Sequence, residues 1–154
     1  MSDCQQGNVC LSFPSETKYI HMVTMLANHA ATMAGFSKQT AGKIAIATDE
    51  AVTNIIKHAY EGKSDKVIRL QVNINPDTLV LDVIHSGKPL TNDDIRLPVM
   101  EEYIKNRRVG GLGLFLITKF VDEVDYLVGD EHRCKMTLYR KNKDKKQAAT
   151  KKTS

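Results

Sequence analysis

The chain has 154 residues, of which 42% are hydrophobic and 26% are charged. This is long enough for one domain with a real core, and the composition is that of a globular protein. The formal net charge is +4, but residues 141–154 hold six lysines and one aspartate, so the remainder carries about −1. The charge excludes a basic nucleic-acid-binding domain. We interpret residues 1–140 as one domain and residues 141–154 as a lysine-rich disordered tail.

Two further classes are disfavoured by the sequence. No apolar run is long enough to cross a membrane, and the N-terminus lacks the basic-then-apolar pattern of a signal peptide. The three cysteines, Cys4, Cys10 and Cys134, form no CxxC pair. We therefore predict reduced thiols in the cytoplasm, with neither a disulfide framework nor a zinc site, and we expect no membrane or nucleic-acid partner.

The first part of the chain predicts a strand and a helix. Residues 9–13 alternate between apolar and polar side chains, which is typical of a strand. Ser15 is a candidate cap for a helix that runs from Glu16 to about Ala34, where apolar residues recur at helical spacing. Gly35 is placed to end that helix, and Ser37 to cap the next one.

The second helix, which we expect to end near residues 60–62, carries a polar row. Residues four apart share a helix face, so Glu50, Asn54 and His58 line up. The apolar stripe opposite contains Ile44, Ala45, Val52, Ile55, Ile56 and Ala59. A carboxylate one turn from a carboxamide can accept a proton beside a metal-binding oxygen. For the helix taken alone, the alternative is a solvated face.

The rest of the chain predicts two hairpins separated by a lid and a helix. Residues 68–74 alternate as a half-buried strand, and residues 79–84 form a second strand after a turn, which stops at residues 85–89. Residues 90–109 are polar and are long enough for a lid. A glycine cluster then leads into an apolar helix to about Phe120, and residues 124–128 and 134–139 form the last hairpin. A sheet with helices on one face would bury these patterns, which predicts a two-layer α+β domain.

The glycine cluster at residues 110–113 is a candidate phosphate site. Glycine lets the backbone approach a ligand, and a helix N-terminus offers free N–H groups with a positive dipole end. Arg107 and Arg108 stand beside the cluster and could contact a terminal phosphate. The alternatives are glycines used for packing at a helix junction and solvated arginines.

These elements together resemble a known superfamily. E-x-x-x-N on a helix, a strand ending in x-x-G-x-P, a lid and G-G-x-G-L opening a helix resemble the GHKL ATPases, and within them the bacterial anti-sigma-factor serine/threonine kinases. The matching residues are DEAVTN at 49–54 with HAY at 58–60, and GGLGLFLI at 110–117. The resemblance covers residues 10 to 140. It implies a two-layer α/β sandwich of the GHKL (Bergerat) type, with a mixed sheet and helices on one face.

The resemblance also implies a site that uses ATP and Mg²⁺. Glu50 would be the general base, Asn54 would hold Mg²⁺, and Gly87 would allow close approach to adenine. The glycines would wrap the phosphates, and an arginine of the lid would contact the γ-phosphate. The nucleotide-binding residues implied are Asn54, His85, Gly87, Arg107, Arg108, Gly110, Gly111, Gly113 and Leu114.

The implied activity is transfer of the ATP γ-phosphate to a serine of an anti-anti-sigma (STAS) antagonist, together with binding of a sigma factor and pairing as a homodimer. One departure motivates an alternative. The family places an aspartate, which accepts a hydrogen bond from the adenine amino group, where His85 stands, and the threonine that many relatives carry before the last strand is missing. The alternative is a partner-switching regulator with the same fold that binds nucleotide weakly or not at all. The ATP-binding half of a sensor histidine kinase fits less well, because the N-terminal helices match the anti-sigma branch.

Overall fold

The computed structural model describes residues 8–90 and 112–140, without the side chains of residues 112–114. Most of the predicted lid (residues 91–109) and the lysine-rich tail at residues 141–154 therefore lie outside the described residues. So do Arg107, Arg108, Gly110 and Gly111, and for these four the sequence-based predictions stay predictions.

The described residues fold into a five-stranded sheet covered by helices. The elements in order are β1 (Val9–Pro14), a 3₁₀ turn (Thr17–Tyr19), α1 (Ile20–Met33), α2 (Lys38–Asn54), a π-helical turn (Ile55–Ala59), β2 (Val67–Ile74), β3 (Thr78–His85), α3 (Leu112–Phe120), β4 (Glu123–Leu127) and β5 (His132–Tyr139). The predicted two-layer α+β class is confirmed.

The strand order is β1-β2-β3-β5-β4, and every neighbouring pair among the described strands is antiparallel. The expectation of a mixed sheet is therefore wrong for these strands. Because β5 pairs antiparallel with both β3 and β4, those two strands point the same way without touching. The second strand of the last hairpin, β5, lies between β3 and β4, so these two strands do not form a parallel pair.

The core lies between one sheet face and the helices. Val72, Leu81 and Met136 lie opposite one another on the three central strands, and each is at most 2% exposed. Helix α2 contributes Ile44 and Val52, also fully buried, and packs against α1 on one side and α3 on the other. The helix that carries the predicted polar row is thus the central helix of its layer, held from three sides.

The turn chemistry between α1 and α2 agrees with the sequence, whereas the predicted cap of α1 does not. Gly35 adopts φ +92°, and the Ser37 hydroxyl accepts a hydrogen bond from the Thr40 N–H at 3.1 Å. Ser15 is instead buried: its hydroxyl donates to the Lys63 carbonyl at 2.6 Å and accepts from the Lys66 N–H at 3.1 Å. The prediction that Ser15 caps the helix is therefore wrong, because Ser15 fastens the loop before β2.

Both hairpins are confirmed, β2 with β3 and β4 with β5. The cysteines agree with the sequence only in part. Cys134 is free and buried, but Cys10 is disulfide-bonded, so the prediction of reduced thiols is wrong there. Composition fixes how many cysteines there are, not which sulfur atoms meet. In the two described ranges, no helix combines the length and apolar character needed to cross a membrane.

Candidate active site

Helix α2 carries the predicted base, Glu50, in a half-buried position. Burial raises the pKa of its carboxyl above the usual value, and the neighbouring charge of Asp49 adds to this; Lys57 acts in the opposite direction. Both raising effects disfavour the negative charge on Glu50. A carboxylate with increased basicity suits a group that accepts a proton.

Asn54, the last residue of α2, has a buried amide nitrogen without a hydrogen-bond partner in the described part of the chain. Such a group costs free energy unless something else satisfies it. The oxygen and nitrogen of a carboxamide exchange by a rotation of half a turn, so the same position can present an oxygen. Oxygen ligands are those that Mg²⁺ prefers, and Asn54 therefore fits the magnesium that the family implies.

The helix widens into a π turn directly after Asn54. Tyr60 N–H donates to the Ile55 carbonyl at 2.9 Å, five residues back, and the four-residue spacing of an α-helix no longer applies. His58 is exposed, whereas the amide nitrogen of Asn54 is buried. The predicted polar row therefore stops at Asn54, and its extension to His58 is wrong.

The end of β3 packs against the end of this helix through Gly87. A Cβ at Gly87 would lie 2.6 Å from the Ala59 carbonyl oxygen and 2.8 Å from its carbon. The next residue, Lys88, donates its N–H to the same oxygen at 2.8 Å. Gly87 is thus required by packing against the backbone, a reason that sequence analysis did not identify. Its predicted place beside the adenine stays a prediction.

Tyr60 joins the same two elements and was missed as a site residue. Its hydroxyl donates to the Val67 carbonyl at 2.7 Å and accepts from the Ser86 N–H at 2.8 Å. Burial raises the pKa of the Tyr60 phenol, so the hydroxyl keeps its proton for the first bond. An aromatic residue directly after a helix end was the signal that could have identified it.

His85 is the last residue of β3 and is 3% exposed. Its Nδ1 accepts a hydrogen bond from the Gly87 N–H at 3.2 Å. The Tyr60 ring meets it edge-on, with centroids 5.9 Å apart, and the ring of His132, directly opposite on β5, lies at 5.4 Å. Burial, and then the neighbouring His132, lower the pKa of His85 to about 4, so its imidazole is neutral near pH 7.

Helix α3 begins at Leu112, which places Gly113 and Leu114 inside its first turn. The expectation that Gly113 precedes the helix is therefore wrong, whereas Gly110 and Gly111 lie outside the described residues. Leu112 has a high helix propensity, and a glycine inside a helix costs only about 1 kcal/mol, which packing can offset. Helix α3 packs on α2, where the Lys43 ammonium lies 5.9 Å from the centroid of the Phe120 ring.

A cavity of about 630 Å³ opens beside the end of β3. Its walls include Tyr60 and Gly87, together with Lys63, Lys66 and Lys88, but neither Glu50 nor Asn54. In the described ranges, no three histidine, cysteine, aspartate or glutamate side chains cluster closely enough to hold a metal ion by themselves. The cavity thus adjoins the end of β3 at Gly87 rather than the predicted general base, Glu50.

The chain matches a protein family across this fold. Residues 13–138 match the family described as "Histidine kinase-like ATPase domain". The chain belongs to this family of histidine kinase-like ATPase domains, and the predicted superfamily is confirmed.

Within that class, the chain is similar to serine-protein kinases. It is 31% identical over 138 residues to "Serine-protein kinase RsbW" of Listeria innocua, covering 85% of this chain and 86% of the relative. It is 29% identical over 133 residues to the protein of the same name from Staphylococcus aureus, covering 83% and 84%.

A solved structure supports the fold. The crystal structure of the RsbU and RsbW domains of Rv1364c from Mycobacterium tuberculosis aligns with this chain with a TM-score of 0.60 at 14% identity. The alignment covers 85% of this chain but only 31% of the longer one. At this low identity, the likeness shows the fold alone.

Proposed function

We propose that this protein is an ATP-dependent serine kinase of the anti-sigma-factor type. It transfers the γ-phosphate to a serine of a STAS-type anti-anti-sigma protein and binds a sigma factor. Relatives named as serine-protein kinases match most of the chain, and the family is one of ATPase domains. The observation that carries the proposal is the pair of Glu50 and Asn54, one helical turn apart on α2.

In this proposal Glu50 accepts the proton of the attacking serine hydroxyl. Its raised pKa strengthens it as a base, and its half-buried position leaves part of the carboxylate accessible to a substrate. Phosphoryl transfer depends mostly on positioning and on neutralising charge. A base held on the central, packed helix of its layer provides that positioning.

Asn54 would hold Mg²⁺, which supplies neutralisation of the phosphate charge when it is bound. Gly113 and Leu114, in the first turn of α3, would offer backbone N–H groups to the phosphates. Gly110, Gly111, Arg107 and Arg108 complete the phosphate site as the family resemblance predicts. His85 and Gly87 would form the wall beside the adenine of ATP.

Glu50→Gln tests the mechanism. We expect phosphate transfer to fall by about 10²- to 10⁴-fold, because the variant keeps the shape of the side chain but loses the base. Transfer of radiolabelled phosphate to STAS-type proteins of the source organism measures the rate. Calorimetry should show that nucleotide binding is retained.

Glu123→Gln, on the exposed edge of β4, is the matched control and should transfer phosphate at the parental rate. Transfer by Glu50→Gln at that same rate would rule out Glu50 as the base.

The second candidate is a non-catalytic partner-switching regulator, which the histidine at position 85 favours. A parent protein that holds the antagonist but shows no calorimetric response to nucleotide with Mg²⁺ would establish it. Either version acts on sigma factors and therefore belongs in the cytoplasm, which cell fractionation tests. The homodimer stays a prediction for analytical ultracentrifugation.

A further inference from the structure

The surface of α2 that leads to Glu50 from its N-terminal side is open. Residues four apart share a helix face, so Gly42, Ile46 and Glu50 lie in one stripe over two helical turns. Ile46 is 45% exposed, one turn before the half-buried Glu50, and Gly42 adds no side chain one turn earlier. The stripe thus presents an apolar side chain and bare backbone directly beside the proposed base.

Gly42 has no packing role in the part of the chain that the structure describes. A Cβ added there would meet nothing within 4 Å, in contrast to Gly87, where it would meet backbone. The φ angle of Gly42 is not positive either, unlike that of Gly35. A glycine inside a helix lowers stability relative to alanine, so neither packing nor backbone conformation accounts for it. What it does permit is a close approach of another molecule to the helix.

Ile46 stands out by its position rather than by its exposure, because single exposed apolar residues are common on protein surfaces. The Cβ atoms of residues four apart on a helix are about 5–6 Å from each other. A serine hydroxyl has to come within hydrogen-bond distance of the Glu50 carboxylate to lose its proton. A protein that presents this serine must therefore cover the helix surface within about one turn of Glu50.

The two directions along α2 from Glu50 are not equivalent. The next turn toward the C-terminus carries Asn54, which would hold Mg²⁺ between the phosphates of ATP. In phosphoryl transfer the attacking and leaving oxygens lie roughly in line, on opposite sides of the transferred group. The acceptor serine therefore approaches from the side away from the nucleotide, which along this helix is the side of Ile46 and Gly42.

We infer that Ile46 and the open backbone at Gly42 dock the protein substrate and contribute to its specificity. Because this contact is apolar, the substrate that it fits carries an apolar side chain close to its acceptor serine and not a charged one. Burial of Ile46 on docking removes apolar surface from water, which provides affinity for the substrate without touching the reacting atoms. The inference rests on the proposed function, because it takes Glu50 as the base.

Steady-state transfer from ATP to the STAS-type protein that the parent phosphorylates, measured over a range of concentrations of that protein, tests the inference. Ile46→Gln replaces the apolar side chain by a polar one that also favours a helix. We expect the KM for the protein substrate to rise roughly five- to tenfold, and kcat and the KM for ATP to stay at the parental values. Ile74→Gln, the same change at a 40% exposed site at the end of β2, is the matched control and should change none of the three.

Gly42→Gln is the second variant, because it places a long side chain on the open surface. Glutamine has a higher helix propensity than glycine, so the free energy of unfolding should not decrease. The KM for the protein substrate should rise at least as much as in Ile46→Gln, because close approach to the backbone at Gly42 is blocked. Calorimetry with the same STAS-type protein, its acceptor serine changed to alanine, supplies a readout without turnover, and the Kd should rise in both variants.

The outcomes separate this inference from the proposed function. If the parent transfers phosphate and both variants keep its KM for the protein substrate, the inference is wrong and the kinase proposal stands. A lower kcat with an unchanged KM in both variants would also overturn the inference, because the stripe would then act on the reaction and not on docking. If the parent transfers phosphate to no STAS-type protein, the proposed function fails together with the inference, and the non-catalytic regulator replaces both.

Discussion

The candidate site has two walls, a helix wall formed by Glu50 and Asn54 and a strand wall formed by Tyr60, His85 and Gly87. They differ in how far the protein itself satisfies their polar groups. On the helix wall, the buried amide nitrogen of Asn54 has no partner among the described residues, and the pKa of Glu50 is raised, mainly by burial. On the strand wall, His85 and Tyr60 are hydrogen-bonded to the backbone, and Gly87 is pressed against the helix end. The helix wall has polar groups left for a ligand, whereas the strand wall satisfies most of its own.

This difference shows where substitution is tolerated. A buried polar side chain that has no protein partner can be substituted with little effect on folding, because its desolvation already costs free energy in the folded protein. A group that holds two elements together cannot be exchanged without moving them. We therefore expect function to be lost first on the helix wall and stability first on the strand wall.

Gly87→Ala is the largest stability effect we expect. Its Cβ would meet the Ala59 backbone at 2.6 Å, and backbone cannot swing aside as a side chain can. We expect a loss of about 3 kcal/mol in the free energy of unfolding, at the upper end of overpacking effects. Urea unfolding followed by circular dichroism measures it.

Gly42→Ala is the matched control inside α2, where an added Cβ meets nothing within 4 Å. It should gain about 0.5–1 kcal/mol, because alanine favours a helix interior over glycine. Equal stabilities for the two variants would refute the close packing of β3 on the helix end.

Asn54→Ala tests the helix wall. It removes an amide whose nitrogen has no partner in the part of the chain that the structure describes, so we expect the unfolding free energy to stay within about 0.5 kcal/mol of the parent. The gain in nucleotide affinity that Mg²⁺ provides should shrink by roughly ten- to a hundredfold, because one oxygen ligand is lost.

Calorimetry with and without Mg²⁺ measures this gain, and Asn28→Ala on α1 serves as the control. If Asn54→Ala strongly lowered the free energy of unfolding but kept the gain in nucleotide affinity with Mg²⁺, Asn54 would be a structural residue and not a magnesium ligand.

The smallest effect is a pH dependence at His85. Its pKa falls from 6.5 to about 4 on folding, so between these values the unfolded chain binds a proton that the folded one does not. Stability therefore decreases as the pH falls through this window, by at most about 1.4 kcal/mol per pH unit. Urea midpoints from about pH 7 to about pH 5.5 measure the slope, above the usual range of carboxyl groups.

His85→Gln should flatten this slope, and His29→Gln, at an exposed site, should keep it. The opposite result, a flat slope in the parent itself, would mean that His85 is charged in the folded protein.

Much of the architecture follows from local sequence patterns. Strands β2, β4 and β5 alternate with period two, Gly35 takes the positive φ that an L side chain avoids, and Ser37 caps a helix from within three residues. These features depend on neighbours along the chain. Ser15 shows the limit, because its hydrogen-bond partners at Lys63 and Lys66 are 48 and 51 residues away.

The sequence by itself also identified the family and the Glu50–Asn54 pair, because short motifs at fixed spacing on one helix survive without any tertiary information. Only the tertiary structure decided which polar groups find a partner within residues 8–90 and 112–140. The π turn takes His58 out of the row, and Gly87 fixes which nitrogen of His85 accepts a hydrogen bond. Burial and hydrogen-bond partners are set by contacts between distant segments, and these determine what each residue can offer to a ligand.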